Sequence, residues 1–334
     1  MFRIFGLTMI AGLTLTTGCY ATPANPATDG VVSNGADPSG IADSSRAFND
    51  ALSKSPSIYV PCGTYRLNLK IVSKTNVSLR GAGSCTIFKP VNPKVPVLSI
   101  ERTNFSEFRS FSVIGARDSG SSGIVITSSG NAIFSNILIT GFSVAGFKCT
   151  GGTGSSGVKV TESYVLENGE AGIWYDDCQD FFIRENNIGK NKGIGLLLNK
   201  SSAGQIESNF IWENGVAISA SAIFYDWFSR NRLTQSAREA FICDDCGYIN
   251  ISNNQSYQNS SSEKGKFEDW KFRYARNVII SENMLYDWTG TPHVSHGITV
   301  DQKSSKILLS NNIFENQSAS PVRIEPGAKD ISQR

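Results

Sequence analysis

Two acidic phrases in the chain, Asp176-Asp177-Cys178 and Asp244-Asp245-Cys246, are copies of one another 68 residues apart. Neighbouring carboxylates raise one another's pKa, so such a pair can supply the acid and the base for a bond that breaks by proton transfer. Asp-Asp also suits tight turns, where the side chain bonds its own backbone, and both readings stand on sequence alone. Other polar and titratable groups cluster later, at Arg273, Tyr274, Asp301, Gln302 and Lys303, and at the chain's two histidines, His293 and His296.

These residues belong to a repeat. A polar residue precedes the second apolar run of each phrase at Asn186, Asn209, Asn231 and Asn254, in steps of 23, 22 and 23 residues. The column extends outward to Ser110, Asn136 and Ser163 and to Asn283 and Asn312, in steps of 26, 27, 23, 29 and 29 residues. Short alternating apolar runs at such a period mark a solenoid with one turn per repeat. Five places further on stand Asn168, Asn191, Asn214 and Asn259, interrupted by Ser236, and these predict a ladder of amides bonded along the stack.

Register then places the chemistry. Ten residues before the column stand Asp176, Asn199, Ser221, Asp244, Arg273 and Gln302, and nine before it Asp177, Lys200, Ala222, Asp245, Tyr274 and Lys303. The two Asp-Asp pairs are three turns, or roughly 14 Å, apart, beyond the ~5 to 9.5 Å that joins carboxylates in glycosidases. Each pair must find its partner locally. The expected catalytic set is Asp244, Asp245, Arg273, His296 and Asp301, with the long loops 260–270 and 288–296 bringing tryptophans nearby.

The opening of the chain reads Asn34-Gly35-Ala36-Asp37-Pro38-Ser39-Gly40-Ile41-Ala42-Asp43-Ser44, then Arg46 to Ser53, then the strand Ser57 to Arg66. This resembles the start of the pectate-lyase-like superfamily, which includes phage tailspike depolymerases and many polysaccharide-degrading enzymes. The resemblance is specific over residues 31 to 90, and beyond that only the coil rhythm matches. It implies an all-β fold, a right-handed parallel β-helix of about ten turns. Asp43 or Ser44 can cap a helix over residues 44 to 54 whose face of Ala47, Phe48, Ala51 and Leu52 closes the first turn.

The resemblance also implies a polysaccharide partner held in a groove along one strand face. The expected binding residues are Asp176, Asp177, Asn199, Lys200, Trp227, Trp270, Tyr274 and Trp288, since sugar rings stack on Trp and Tyr while hydroxyls meet Asn, Asp and Lys. Asp244-Asp245-Cys246 further resembles the Asp-Asp-Cys of polygalacturonase-type hydrolases, echoed by Ser295-His296-Gly297 and Arg323-Ile324-Glu325. The Asn-Thr-Asp element that should stand one turn earlier is replaced by Ser221 and Ala222. A depolymerising hydrolase or lyase is the reading, against a non-catalytic binding or structural solenoid. No cofactor is called for, save a divalent cation such as calcium if the reaction is a lyase's.

A net charge of +2 over 334 residues, with no Lys/Arg run, gives no footprint for nucleic acid. Residues 1–21 read as an export signal, 22–30 as a linker and 31–334 as a single domain. Leu15-Thr16-Thr17-Gly18-Cys19 resembles a lipobox, so either Cys19 carries a lipid anchor or cleavage follows Ala21, leaving a periplasmic, outer-membrane-anchored or secreted protein. Six cysteines remain in either case, and Cys62 and Cys85, one turn apart, are predicted to pair. Cys243-Asp-Asp-Cys246 has no second Cys/His pair at zinc spacing and is read as thiols or a disulfide.

Overall fold

The structure is a computed structural model that describes residues 30–116, 120–151, 154–288 and 290–334. The expected leader with Cys19, and the linker up to residue 29, lie outside the described residues. Each clean turn contributes three strands: Ala171–Asp176, Phe182–Arg184 and Asn187–Gly189 in one turn, then Ile194–Asn199 opening the next. First strands stack as a parallel sheet of eleven, and second and third strands form a bent sheet of 22, among the described residues. The stack is thus slightly taller than the ten turns expected.

Alternation builds the interior. In Ala171–Asp176, Ile173 and Tyr175 point inward and are fully buried, while Trp174 and Asp176 point out. Aromatic rings run up the inside: Phe108 stacks on Phe134 at 4.9 Å, Phe134 meets Phe147 edge-on, and Tyr175 lies 4.6 Å from Phe181. Each such contact adds about 0.5–1.5 kcal/mol to the area buried.

Both asparagine columns are ladders. Asn186 donates its amide N–H to the Asn209 carbonyl oxygen at 3.0 Å, and the chain continues through Asn231, Asn254 and Asn283 to Asn312 at 2.9–3.0 Å. Each oxygen also accepts the backbone N–H of the asparagine one turn back, as Asn209 does from Asn186 at 3.0 Å. Asn168, Asn191 and Asn214 form the second ladder. Glycine stands beside it for a reason: a Cβ on Gly195 would lie 2.8 Å from the Asn214 amide nitrogen.

The outward extension needs one correction. Ser163 accepts the backbone N–H of Ile137, so the column passes through Phe111 and Ile137; Ser110 and Asn136 precede it by one residue. Both occupy left-handed bends, φ 60° and 52°, where a short polar residue is at home.

The predicted capping helix spans Ser45–Lys54 and buries Ala47, Phe48, Ala51 and Leu52. Phe48 sets its ring edge-on against Tyr65 and Phe88, closing the end of the core. Asp43 accepts the Ser45 N–H at 2.8 Å, whereas the Ser44 hydroxyl is turned back to accept the Asp37 N–H.

Among the described residues three disulfides are formed. Cys62–Cys85 joins adjacent turns as expected, with Cα atoms 4.8 Å apart. Cys149–Cys178 also bridges successive turns, and Cys243–Cys246 closes a local loop. Such a set fits an oxidising compartment. Among the described residues no helix is long and apolar enough to cross a membrane.

Candidate functional site

The eleven-stranded sheet presents an outer face with two polar edges. Along the C-terminal edge run Asp176, Asn199, Ser221, Asp244 and Arg273 in consecutive register, as predicted. The next member is Asp301 rather than Gln302, because Phe272 pairs with Val300. The residue after each strand bends left-handed: Asp177, Lys200, Ala222, Asp245 and Tyr274 have φ between 49° and 60°. Asp is among the side chains that accept this bend, so turn chemistry accounts for Asp177 and Asp245.

The carboxylates on this edge are already partnered. Arg273 donates to Asp244 at 2.8 Å, Arg276 to Asp245 at 3.3 Å, and Asn199 to Asp176 at 2.7 Å. Asp301 accepts the Tyr274 N–H at 3.1 Å and the Ser304 hydroxyl at 2.6 Å. Lys303 donates to the Tyr274 hydroxyl at 2.6 Å, and that bond holds its ammonium pKa above the usual lysine value. The edge is therefore a set of ion pairs and hydrogen bonds suited to gripping a ligand.

The expected gathering of aromatics and histidine around Asp244 does not occur. Trp270 is 0 % exposed, because alternation along Trp270–Arg273 points it inward with Phe272, against Phe241. It cannot stack on a sugar. Trp288 is exposed but packs on Tyr257 and Tyr286, on the outer face of the third strands. Trp227 is exposed on Trp227–Ser229, on the second-strand face. His296 precedes the strand Ile298–Val300, whereas Asp301 follows it, five residues or roughly 16 Å away along the strand direction. The polygalacturonase-like echo is therefore split, with Asp244-Asp245 at one edge and His296 at the other.

The N-terminal edge holds residues that the sequence reading passed over. Phe241, Trp270 and Ile298 are register partners. Two residues before them stand Glu239, Glu268 and His296, each one turn, about 4.8 Å, from the next. Backbone bonds fix the column: Ala240 donates to the Asp269 carbonyl and Asp269 to the His296 carbonyl, both at 2.8 Å. In earlier turns the same place is filled by Ala171, Ile194 and Val216. A carboxylate entering an apolar column was the signal available in the sequence.

Glu239 is 3 % exposed. Its Oε2 lies 3.3 Å from an Arg238 nitrogen, but the angle is poor, and among the described residues that buried oxygen accepts no hydrogen bond. Glu268 meets the Lys271 ammonium at 3.3 Å, and His296 Nδ1 lies 3.0 Å from the Ser320 hydroxyl. Behind them Asp269 accepts from Ser256 at 2.8 Å and Asn259 at 3.0 Å. Burial, with the nearby Asp287 charge adding, pushes the Asp269 carboxyl up to about 7. Asp287 in turn accepts the His293 backbone N–H at 3.0 Å and contacts its ring, pinning the long loop that delivers His296. Among the described residues no three His, Cys, Asp or Glu side chains converge as metal ligands.

The model of the right-handed β-helix region matches residues 74–254 and 152–331, most of the chain. The chain belongs to the right-handed β-helix family. Solved β-helices resemble it in fold at low identity. The enzymatically active domain of tailspike protein 2 from bacteriophage CBA120 superposes with a TM-score of 0.72 at 12% identity, over 87% of this chain and 50% of that one. This β-helix therefore spans half of that tailspike domain's length. The A-module of a mannuronan C-5 epimerase from Azotobacter vinelandii gives 0.63 at 16% identity, over 90% and 95%. The catalytic unit of a GH87 α-1,3-glucanase from Streptomyces thermodiastaticus gives 0.66 at 14%, over 94% and 69%. No curated protein sequence matches the chain. At such identities these β-helices carry the fold to this chain and not their reactions.

Proposed function

We propose that this β-helix is an exported polysaccharide-degrading hydrolase, with Glu239, Glu268 and His296 as its reacting groups and the opposite edge as its binding rim. The observation that carries the reading is the buried Glu239 carboxylate one turn from Glu268. Stacked turns set the two backbones about 4.8 Å apart, a spacing from which two carboxyl groups can reach the ~5–5.5 Å separation at which one protonates the glycosidic oxygen while the other attacks. His296, one turn further, serves the leaving group or the attacking water. Across the sheet Asp176, Asp177, Asn199, Lys200, Asp244, Asp245, Arg273, Tyr274 and Asp301 offer hydroxyl and carboxylate contacts along several sugar units. The β-helix relatives named for α-1,3-glucanase and mannuronan epimerase activities support the ligand class. The expected leader and the disulfides among the described residues support export.

Glu268→Gln and Glu239→Gln should each remove reducing-end release from α-1,3-glucan, mannuronan or a neutral glucan, with no ultraviolet-absorbing unsaturated ends from the parent protein. Retained turnover in both variants, with loss in Asp244→Asn, would return the chemistry to the other edge. Binding without cleavage by the parent protein would favour the non-catalytic module, a reading that the arginine-paired edge by itself supports.

A further inference from the structure

A second cluster of rings lies on a different face from the proposed catalytic groove. Phe224 bridges to Gly247, which sets Tyr225 beside Tyr248 on the next turn, and their rings stack at 5.2 Å with planes 18° apart. Trp227, two residues on, is in register with Asn250. Tyr225, Trp227 and Tyr248 are 62%, 60% and 53% exposed. Beside them a groove of about 510 Å³ is lined by Trp227, Tyr248, Asn250, Asn277 and Lys306, among others.

Folding does not explain these rings. Both tyrosines occupy left-handed backbone, φ 66° and 55°, a conformation that costs a bulky side chain energy and favours Asn or Gly. The bend itself belongs to the fold: Asp180, Ala203, Asn277 and Lys306 occupy the same column on neighbouring turns with φ between 50° and 56°. A ring at this column points outward, where it recovers little burial. Two adjacent turns thus hold large rings in water at a place that the other turns fill with Asp, Ala, Asn or Lys. The groove is within the size range of small-ligand sites, and its lining mixes aliphatic side chains with two amides, the Lys306 ammonium and the Asp330 carboxylate. Rings that offer flat apolar faces amid hydrogen-bonding amides match a pyranose, whose C–H face is apolar and whose edge is hydroxylated. The three rings fall short of the roughly 800 Å² per partner that a stable dimer needs.

We infer that Tyr225, Trp227 and Tyr248 form a non-catalytic polysaccharide-binding site, separate from the Glu239–Glu268–His296 groove. It shares with the preceding proposal only the ligand class. Holding a polymer on a second face raises the local concentration of chain available to the groove.

The test is native electrophoresis through gels containing mannuronan or a soluble α-glucan, with sedimentation on insoluble α-1,3-glucan. The double variant Tyr225→Asn/Tyr248→Asn places a residue suited to left-handed backbone at both positions. The parent protein and Glu268→Gln should both be retained by at least one polymer. The double variant should bind that polymer at least tenfold more weakly, with an unchanged or higher Tm and unchanged turnover of short oligosaccharides. Retention of the double variant equal to the parent's overturns the inference, as does a parent protein retained by none of the three polymers. So does a parent protein that self-associates while the double variant is monomeric. Loss of turnover in Glu268→Gln with retention intact separates this site from the catalytic one.

Discussion

Asp244 and Arg273 face one another across adjacent turns and are joined at 2.8 Å, with both side chains more than a third exposed. A pair so open to water is screened and contributes little, about 0–1 kcal/mol. Asp244→Asn or Arg273→Gln should leave Tm within a few degrees of the parent. On a cleaved polysaccharide the proposed rim role predicts a raised KM with kcat held, read from initial rates on long chains.

The ladder should behave oppositely. Asn231 donates to Asn254 and to the Ile206 carbonyl, and accepts from Asn209, all in the buried interior. Asn231→Ala orphans several of these groups, and each unsatisfied buried partner costs about 1–3 kcal/mol. A loss of at least about 2 kcal/mol in denaturant unfolding is expected.

Ser236 interrupts the other ladder, and among the described residues its buried hydroxyl has no hydrogen-bond partner. Its backbone N–H already donates to the Asn259 side chain at 3.0 Å. Ser236→Asn should complete the column between Asn214 and Asn259 and raise Tm, and a fall would show that the site lacks room for the amide.

Asp226 faces the interior, accepts the Gly204 N–H at 2.8 Å and is 0 % exposed. Burial pushes its carboxyl up to about 8, against 3.8 ordinarily. Between those values the folded chain holds a proton that the unfolded chain releases, so stability falls as pH rises through this window and levels off above about 8. Asp226→Asn should therefore stabilise most at pH 8 and least near pH 4, in melts across that range.

The disulfides should differ in weight. Loops of 29 and 23 residues, closed by Cys149–Cys178 and Cys62–Cys85, restrict the unfolded chain by about 3–4 kcal/mol each, and the 3-residue loop of Cys243–Cys246 by under about 2. Paired Cys→Ala variants, compared by urea unfolding, should rank in that order.

The solenoid was legible because each turn must present an amide at the same corner, and Asn186 to Asn254 repeat with almost no insertion. The rank of polar residues from Asp176 to Arg273 followed from the same count. Legibility failed where a turn is irregular: residues 297–312 place Asp301, not Gln302, beside Arg273. Counting turns also hid the position within a turn, so His296 was set near Asp244 although a whole strand separates them. Trp270 could have been assigned inward by its alternation with Phe272. Glu239 escaped because the comparison was anchored at the far end of the strands, where its apolar predecessors do not show.

The amide ladders make the molecule a ruler graduated in whole turns. Because each asparagine grips the same corner one step along, two groups on a face can be separated only by integral multiples of about 4.8 Å. A polymer lying along the axis meets its contacts at those marks and no others. Inserting or deleting one complete turn would move two sites apart or together by a single graduation while leaving each site whole, whereas a change of a few residues would put every later contact out of step.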